Sequence, residues 1–300
     1  MTTKRVKICH FSDLHLVPGQ PVSWWALINK RALGYANLRF NRGKTHRPEN
    51  LSILLESVVK ERADWVVVTG DFTSLALDFE FDTIHRLFKE AGLSPENTVI
   101  IPGNHDRYTI RADLSSAFEK GLGEWIPDGF SKKSGYPIVI DADPVCLIGM
   151  DTAVWQNPVS AAGAISRPQL ARLKHALSPM QLNGRWPVIA MHHPPFHRGN
   201  RQLMHYRTGL KGYSRFIDAV TTQATVLHGH MHVFSRIRTE YLDIIGVSSA
   251  SNDTGKEETQ LAYHTYVFDN SGMVSAECNR FWPVGGGDFR TERTPIPTAV

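Results

Sequence analysis

Residues 227–232 read LHGHMH, which puts imidazoles at His228, His230 and His232. Other residues of metal-ligand type stand upstream in short groups: Asp13 and His15 in SDLH, Asp71 in GD, Asn104, His105 and Asp106 in GNHD, His192 and His193 in HHPP. Carboxylates, imidazoles and an amide oxygen form a mixed nitrogen and oxygen donor set with no thiolate in it. Such a set suits manganese, iron, zinc, cobalt or nickel and argues against a closed structural zinc site. In D-x-H and H-x-H, positions i and i+2 of an extended segment share one side. A set this large exceeds what one open catalytic ion uses. It matches two ions that share a bridging carboxylate and keep positions for water and substrate. Gly70, Gly103 and Gly229 let the backbone turn sharply beside these groups. Taken singly the groups say less: GNHD is also an ordinary tight turn, and His10 reads as a core residue of its strand.

Residues so far apart meet only if the fold gathers them. Short apolar runs at 6–11, 65–69, 98–102, 137–140, 145–150, 187–191, 224–228, 243–247 and 265–268 read as strands. Their apolar residues do not strictly alternate, as expected of strands covered on both faces. Leu51, Leu54, Leu55, Val58 and Val59 mark one helix face, with Pro48 in its first turn. A second helix spans 166–177, where Ser166 is the expected N-cap and Gln169 the expected partner in a capping box. A third covers 213–220. These elements predict a four-layer α/β/β/α sandwich of two mixed sheets flanked by helices, in one domain over residues 1–282. The tail 283–300 reads as a loosely held extension. Each ligand group follows a strand, and loops converge beyond the carboxyl ends of the strands of such sheets.

In this order, DLH, GD, GNHD, HHPP and GHMH resemble the five blocks of the calcineurin-like metallophosphoesterases, spanning residues 13–232. The resemblance implies that Asp13, His15 and His232 hold one metal, that Asn104, His192 and His230 hold the other, and that Asp71 bridges them. It implies two divalent transition-metal ions (manganese, iron, zinc or cobalt). His105 becomes the catalytic residue beside the substrate phosphate, and Asn104 a second phosphate contact. Asp106 and His193 are expected to orient true ligands. The implied reaction is hydrolysis of a phosphodiester or pyrophosphate by a hydroxide bridging ions about 3.5–4 Å apart. His105 would stabilise charge or protonate the leaving oxygen. A related fold kept only as a binding scaffold should have lost ligands, and this chain keeps every one.

Composition limits the rest. The chain has 300 residues, 42% hydrophobic and 21% charged, with a net charge of +4. This describes a globular protein and does not argue for nucleic acid. Cys9, Cys146 and Cys278 are distant and odd in number, so reduced thiols in a cytoplasmic protein are expected. The N-terminal sequence lacks a signal-peptide core, and no long apolar run suits a spanning helix. Residues 14–48 contain no acid but carry Lys30, Arg31, Arg39, Arg42, Lys44 and Arg47 among Trp24, Trp25, Leu27, Ile28, Tyr35 and Leu38. This basic, aromatic insertion (about 18–47) reads either as a lid or peripheral membrane contact, or as a helix packed on the core. Residues 192–215 also lack acids, and Arg198 and Arg201 are candidate substrate contacts. A small anionic, phosphate-containing and lipid-bearing substrate fits these stretches. The NKRALGYAN segment resembles enzymes that cleave the pyrophosphate of UDP-2,3-diacylglucosamine. Class III cyclic-nucleotide phosphodiesterases share the DLHL, PGNHD and HHPP wording.

Overall fold

A computed structural model describes residues 3–16, 22, 31–32, 35, 48–127, 135–154, 160–195, 208–285 and 288–298. Along the chain its strands are β1 (Val6–Phe11), β2 (Trp65–Val68), β3 (Thr98–Ile100), β4 (Ile138–Ala142), β5 (Val145–Gly149), β6 (Gly163–Ala164), β7 (Trp186–Met191), β8 (Leu210–Lys211), β9 (Ala224–His228), β10 (Ser235–Arg238), β11 (Leu242–Gly246), β12 (Ala262–Asp269), β13 (Gly272–Gly285) and β14 (Asp288–Pro295). The helices used below are α1 (Pro48–Lys60), α2 (Asp78–Ala91), α3 (Ile110–Leu114), α4 (Ala117–Gly121), α5 (Arg167–Ala176), α6 (Pro179–Leu182) and α7 (Tyr213–Ala219).

Two six-stranded sheets form, in the orders β14-β13-β12-β1-β2-β3 and β10-β11-β9-β7-β5-β4, and β6 pairs with β8 apart from them. Both are mixed. In the first, β1, β2 and β3 are parallel and β12 joins β1 antiparallel. In the second, β5, β7, β9 and β11 are parallel, with β4 and β10 antiparallel at the edges.

Neighbouring residues of the central strands enter different cores, because side chains alternate across a strand. Cys9 and Phe11 of β1, with Val66 and Val68 of β2, pack against Leu54 and Val58 of α1 and Phe81, Ile84 and Phe88 of α2. Ile8 and Val67, one position along, meet Leu147, Val188 and Leu227 of the other sheet. Ile148, Ile189 and Val226 of that second sheet face Leu173 of α5 and Phe216 of α7. Helix, sheet, sheet and helix therefore stack as expected, and the central strands are apolar on both faces for this reason.

Three local expectations change. Helix α2 has a readable pattern in Phe81, Ile84 and Phe88, and Gly92 ends it at φ 82° with its N–H on the Lys89 carbonyl, but it was not expected. Ser166 does cap α5, accepting the Gln169 N–H. Gln169 does not return the bond; its amide spans both backbone groups of Asp151. The tail is not loose over 288–295. Gly285 pairs with Asp288, and β14 runs antiparallel along β13. Beyond it, Ile296 is 3% exposed within the inter-sheet core. Ile296→Ala should therefore lower stability by about 2–5 kcal/mol. Urea denaturation checks this, and an unchanged midpoint would contradict a seated tail.

Of the insertion, Val22, Arg31, Ala32 and Tyr35 are described. Arg31, Ala32 and Tyr35 are helical, and Val22 and Tyr35 pack against the core beside α1 and α2. Among the described residues no helix is long and apolar enough to cross a membrane.

Candidate metal centre

The parallel strands β1, β2 and β3 of one sheet and β7 and β9 of the other deliver the donor groups from their carboxyl ends. Asp13, His15, Asp71, His230 and His232 all hold positive φ, between 43° and 68°. Non-glycine residues adopt this region rarely and at a cost, and it recurs where the surrounding structure over-determines a functional side chain.

The loops brace one another. The His230 N–H donates to the Asp13 carboxylate at 2.9 Å, joining the loop after β9 to the loop after β1. The His105 N–H donates to Asp71 Oδ1 at 2.7 Å, joining the loops after β3 and β2. Asp106, fully buried, accepts the N–H groups of Phe72, Thr73 and Gly103. It thus staples those two loops together. Burial and then the nearby Asp71 charge push its carboxyl up to about 7. A Cβ on Gly103 would overlap Asp71 Oδ1, and one on Gly229 would overlap Ser12 Oγ and Asp13 Oδ2. These two glycines are required by close approach.

With one carboxylate oxygen anchored, Asp71 turns the other between two groups of imidazoles. Asp71 Oδ2 lies 3.5 Å from His15 Nε2 and 3.3 Å from His192 Nε2. On one side, His15 Nε2 is 2.9 Å from His232 Nε2, which is 3.2 Å from Asp13 Oδ1. On the other, His192 Nε2 is 3.2 Å from Asn104 Oδ1 and 3.3 Å from His230 Nδ1. Asp13, His15, Asp71 and His232 offer ligand atoms within 4.8 Å of one another, as do His192, His193 and His230. The structure thus brings together all of Asp13, His15, Asp71, Asn104, His192, His230 and His232. Lone-pair atoms facing one another at such distances suit divalent cations, whose charge offsets the crowding.

Electrostatics agree. Burial raises the Asp71 pKa, but His192, His105 and His15 outweigh it, so its carboxylate stays ionised well below the usual range. Burial alone would lower His192, yet Asp71 and then Asp13 hold its pKa up, at about 9. Burial and His192 together depress His230 to about 3.

His193 is near but differently engaged. Its Nε2 lies 3.0 Å from the Ala161 carbonyl, so it carries the proton. Its Nδ1 then accepts the Thr152 hydroxyl at 2.8 Å. His228 is buried, with Nδ1 on the Gly229 carbonyl. His192 Nδ1–H donates to the Thr69 carbonyl at 2.7 Å, which fixes the tautomer and leaves Nε2 facing the donor cluster. His105 is half-buried, its ring perpendicular to that of His15 with centroids 4.7 Å apart and stacked on Tyr108 at 5.1 Å. Its Nδ1–H donates to the Ser74 carbonyl at 2.7 Å. The backbone carbonyls of Thr69 and Ser74, and the Thr152 hydroxyl, are partners that the residue pattern did not reveal. Arg198 and Arg201 lie outside the described residues.

The profile of the calcineurin-like phosphoesterases matches residues 6–234. The chain belongs to that family and is a metal-dependent hydrolase of phosphoric esters. No curated protein matches it. Among solved structures, a dimetal phosphatase from Danio rerio is similar with a TM-score of 0.63 at 14% identity, covering 98% of this chain and 99% of that one. The purple acid phosphatase PPD1 from yellow lupin (Lupinus luteus) gives 0.60 at 11% identity, over 93% of this chain and 52% of its own. A 5'-nucleotidase-like protein from Staphylococcus aureus gives 0.51 at 11% identity, over 99% and 55%. At these identities the likeness is one of fold.

Proposed function

We propose that the chain hydrolyses a phosphodiester or pyrophosphate at a two-ion centre. Asp13, His15 and His232 hold one ion, Asn104, His192 and His230 the other, and Asp71 is shared. The observation that carries this is Asp71 Oδ2 standing within 3.5 Å of His15 Nε2 and 3.3 Å of His192 Nε2. Bound there, two divalent ions would supply an acidified water and would neutralise charge on the phosphoryl oxygens. The residues do the rest. The Asn104 amide contributes to holding a phosphoryl oxygen. His105, its Nδ1–H fixed on the Ser74 carbonyl, presents Nε2 as the nitrogen that carries a proton to the leaving oxygen. Asp106 and His193 act by orientation, Asp106 through the two loops it joins and His193 through its bonds to Thr152 and Ala161.

Ion binding is coupled to a proton. In the metal-free chain His192 titrates at about 9 against an ordinary 6.5. The raised value means the ion-free fold gains stability from this proton below about 6.5 and loses that gain as pH rises through about 9. An ion at Nε2 must displace the proton, so affinity rises with pH up to about 9 and loading near pH 7 releases a proton. Calorimetry in two buffers of different ionisation heat measures it; zero release would contradict a proton on His192 in the ion-free chain.

The acid-free stretches 14–48 and 192–215 support an anionic, nucleotide- or lipid-linked substrate, with UDP-2,3-diacylglucosamine as the leading candidate. A peripheral membrane contact through residues 18–47 belongs to the same reading, and vesicle flotation on anionic lipid tests it. The deciding experiment compares UDP-2,3-diacylglucosamine, 3',5'-cyclic nucleotides and bis-p-nitrophenyl phosphate with Mn²⁺ present. Preference for the first supports this reading. Preference for cyclic nucleotides moves the enzyme to a cyclic phosphodiesterase. Inertness toward all three with both ions bound would point to a very selective enzyme or to a binding scaffold.

A further inference from the structure

The loop Ser74–Leu77, between Asp71 and α2, is gripped from two sides. Glu80 in the first turn of α2 is fully buried. Its carboxylate accepts the N–H groups of Ser74 at 3.0 Å, Leu75 at 3.1 Å and Leu77 at 2.9 Å. From the basic insertion, Arg31 donates Nε to the Leu75 carbonyl at 2.7 Å and Nη2 to the Ala76 carbonyl at 2.6 Å. A guanidinium can make both bonds at once because its donors lie in a fixed planar fork. Of the other two carbonyls of the turn, that of Leu77 accepts the Glu80 N–H at 2.9 Å, and that of Ser74 accepts the His105 Nδ1–H at 2.7 Å.

We propose that Arg31 and Glu80 are positioning residues that clamp the turn carrying the Ser74 carbonyl, the acceptor of the His105 Nδ1–H, and through it aim Nε2 of the protonated His105 ring. The inference rests on the reading of His105 as the proton donor. It gives the insertion a part in the chemistry: its Arg31 bears on the catalytic imidazole through the backbone of the turn. Glu80 holds three amides of the turn and Arg31 two of its carbonyls, so neither substitutes for the other. A general acid displaced by a fraction of an ångström loses rate steeply, and the loss is greatest where the leaving oxygen most needs a proton.

The test is a double-mutant cycle of Arg31→Ala with His105→Ala on two diesters, diphenyl phosphate and bis-p-nitrophenyl phosphate, with bound ions counted in every variant. Arg31→Lys, which keeps the charge but not the fork, serves as a second arm should the alanine variant fold poorly. With His105 present, Arg31→Ala should lower kcat on diphenyl phosphate about tenfold, and clearly less on the better leaving group. In the His105→Ala background the same change should cost under about twofold, with ion content unaltered. Glu80→Gln should follow the same pattern. Equal losses in both backgrounds would mean that Arg31 acts on substrate or on the fold, and would overturn the proposal. No loss in either background would also overturn it. A wild-type chain inert toward every ester would remove the reaction reading first and this inference with it.

Discussion

Asp71→Asn should lower kcat/KM for diester hydrolysis by about 10³-fold or more, since about 4 kcal/mol of transition-state stabilisation depends on the shared ions. The substitution conserves shape, so geometry says why it is so costly. One oxygen of Asp71 accepts the His105 N–H, and the other stands between His15 and His192. An amide has one acceptor. If its oxygen stays on the His105 N–H, its NH₂ faces the cations; if it turns, the anchor of the His105 loop is lost. The negative charge that draws the surrounding imidazoles disappears in either case. Elemental analysis should find fewer ions per chain than in wild type. A variant within about tenfold of wild type that keeps both ions would show that Asp71 is not shared.

The second large effect separates proton transfer from ion binding. His105→Ala should reduce kcat by about 10²–10⁴-fold, the range of a positioned general acid. It should leave the ion content intact, because the bonded nitrogen of His105 is spent on the Ser74 carbonyl and its ring packs against His15 and Tyr108. The backbone N–H that anchors Asp71 survives the substitution. The loss should be larger for poor leaving groups. Loss of an ion with the activity would instead make His105 part of the ion sphere.

Donor residue types carry their chemistry in the sequence, and each group follows an apolar run, so the five strands that carry them and the convergence of Asp13, Asp71, Asn104, His192 and His230 are legible in the sequence, whereas β10 and β13 are not. The two cores on either face of β1 and β2 explain why those runs lack alternation. What stayed hidden is of another kind. The carbonyls of Thr69 and Ser74 orient His192 and His105, and a carbonyl has no residue type to notice. Glu80 has no pattern in the sequence that marks it as buried; its burial and three backbone bonds come from the turn it closes. Strand β14, DFRTERTP, is an edge strand with mostly exposed side chains, so its pairing with β13 leaves no apolar pattern. Gln169 has the right spacing for a capping box, but two backbone groups of Asp151 compete for its amide and win.

The most direct test of the two-ion hydrolase is activity titrated against bound metal. Chain stripped with a chelator should not cleave bis-p-nitrophenyl phosphate. Mn²⁺ added back should restore cleavage as the content approaches two ions per chain, the number the two donor groups would hold. Full activity in the stripped chain, or saturation at one ion, would contradict the account.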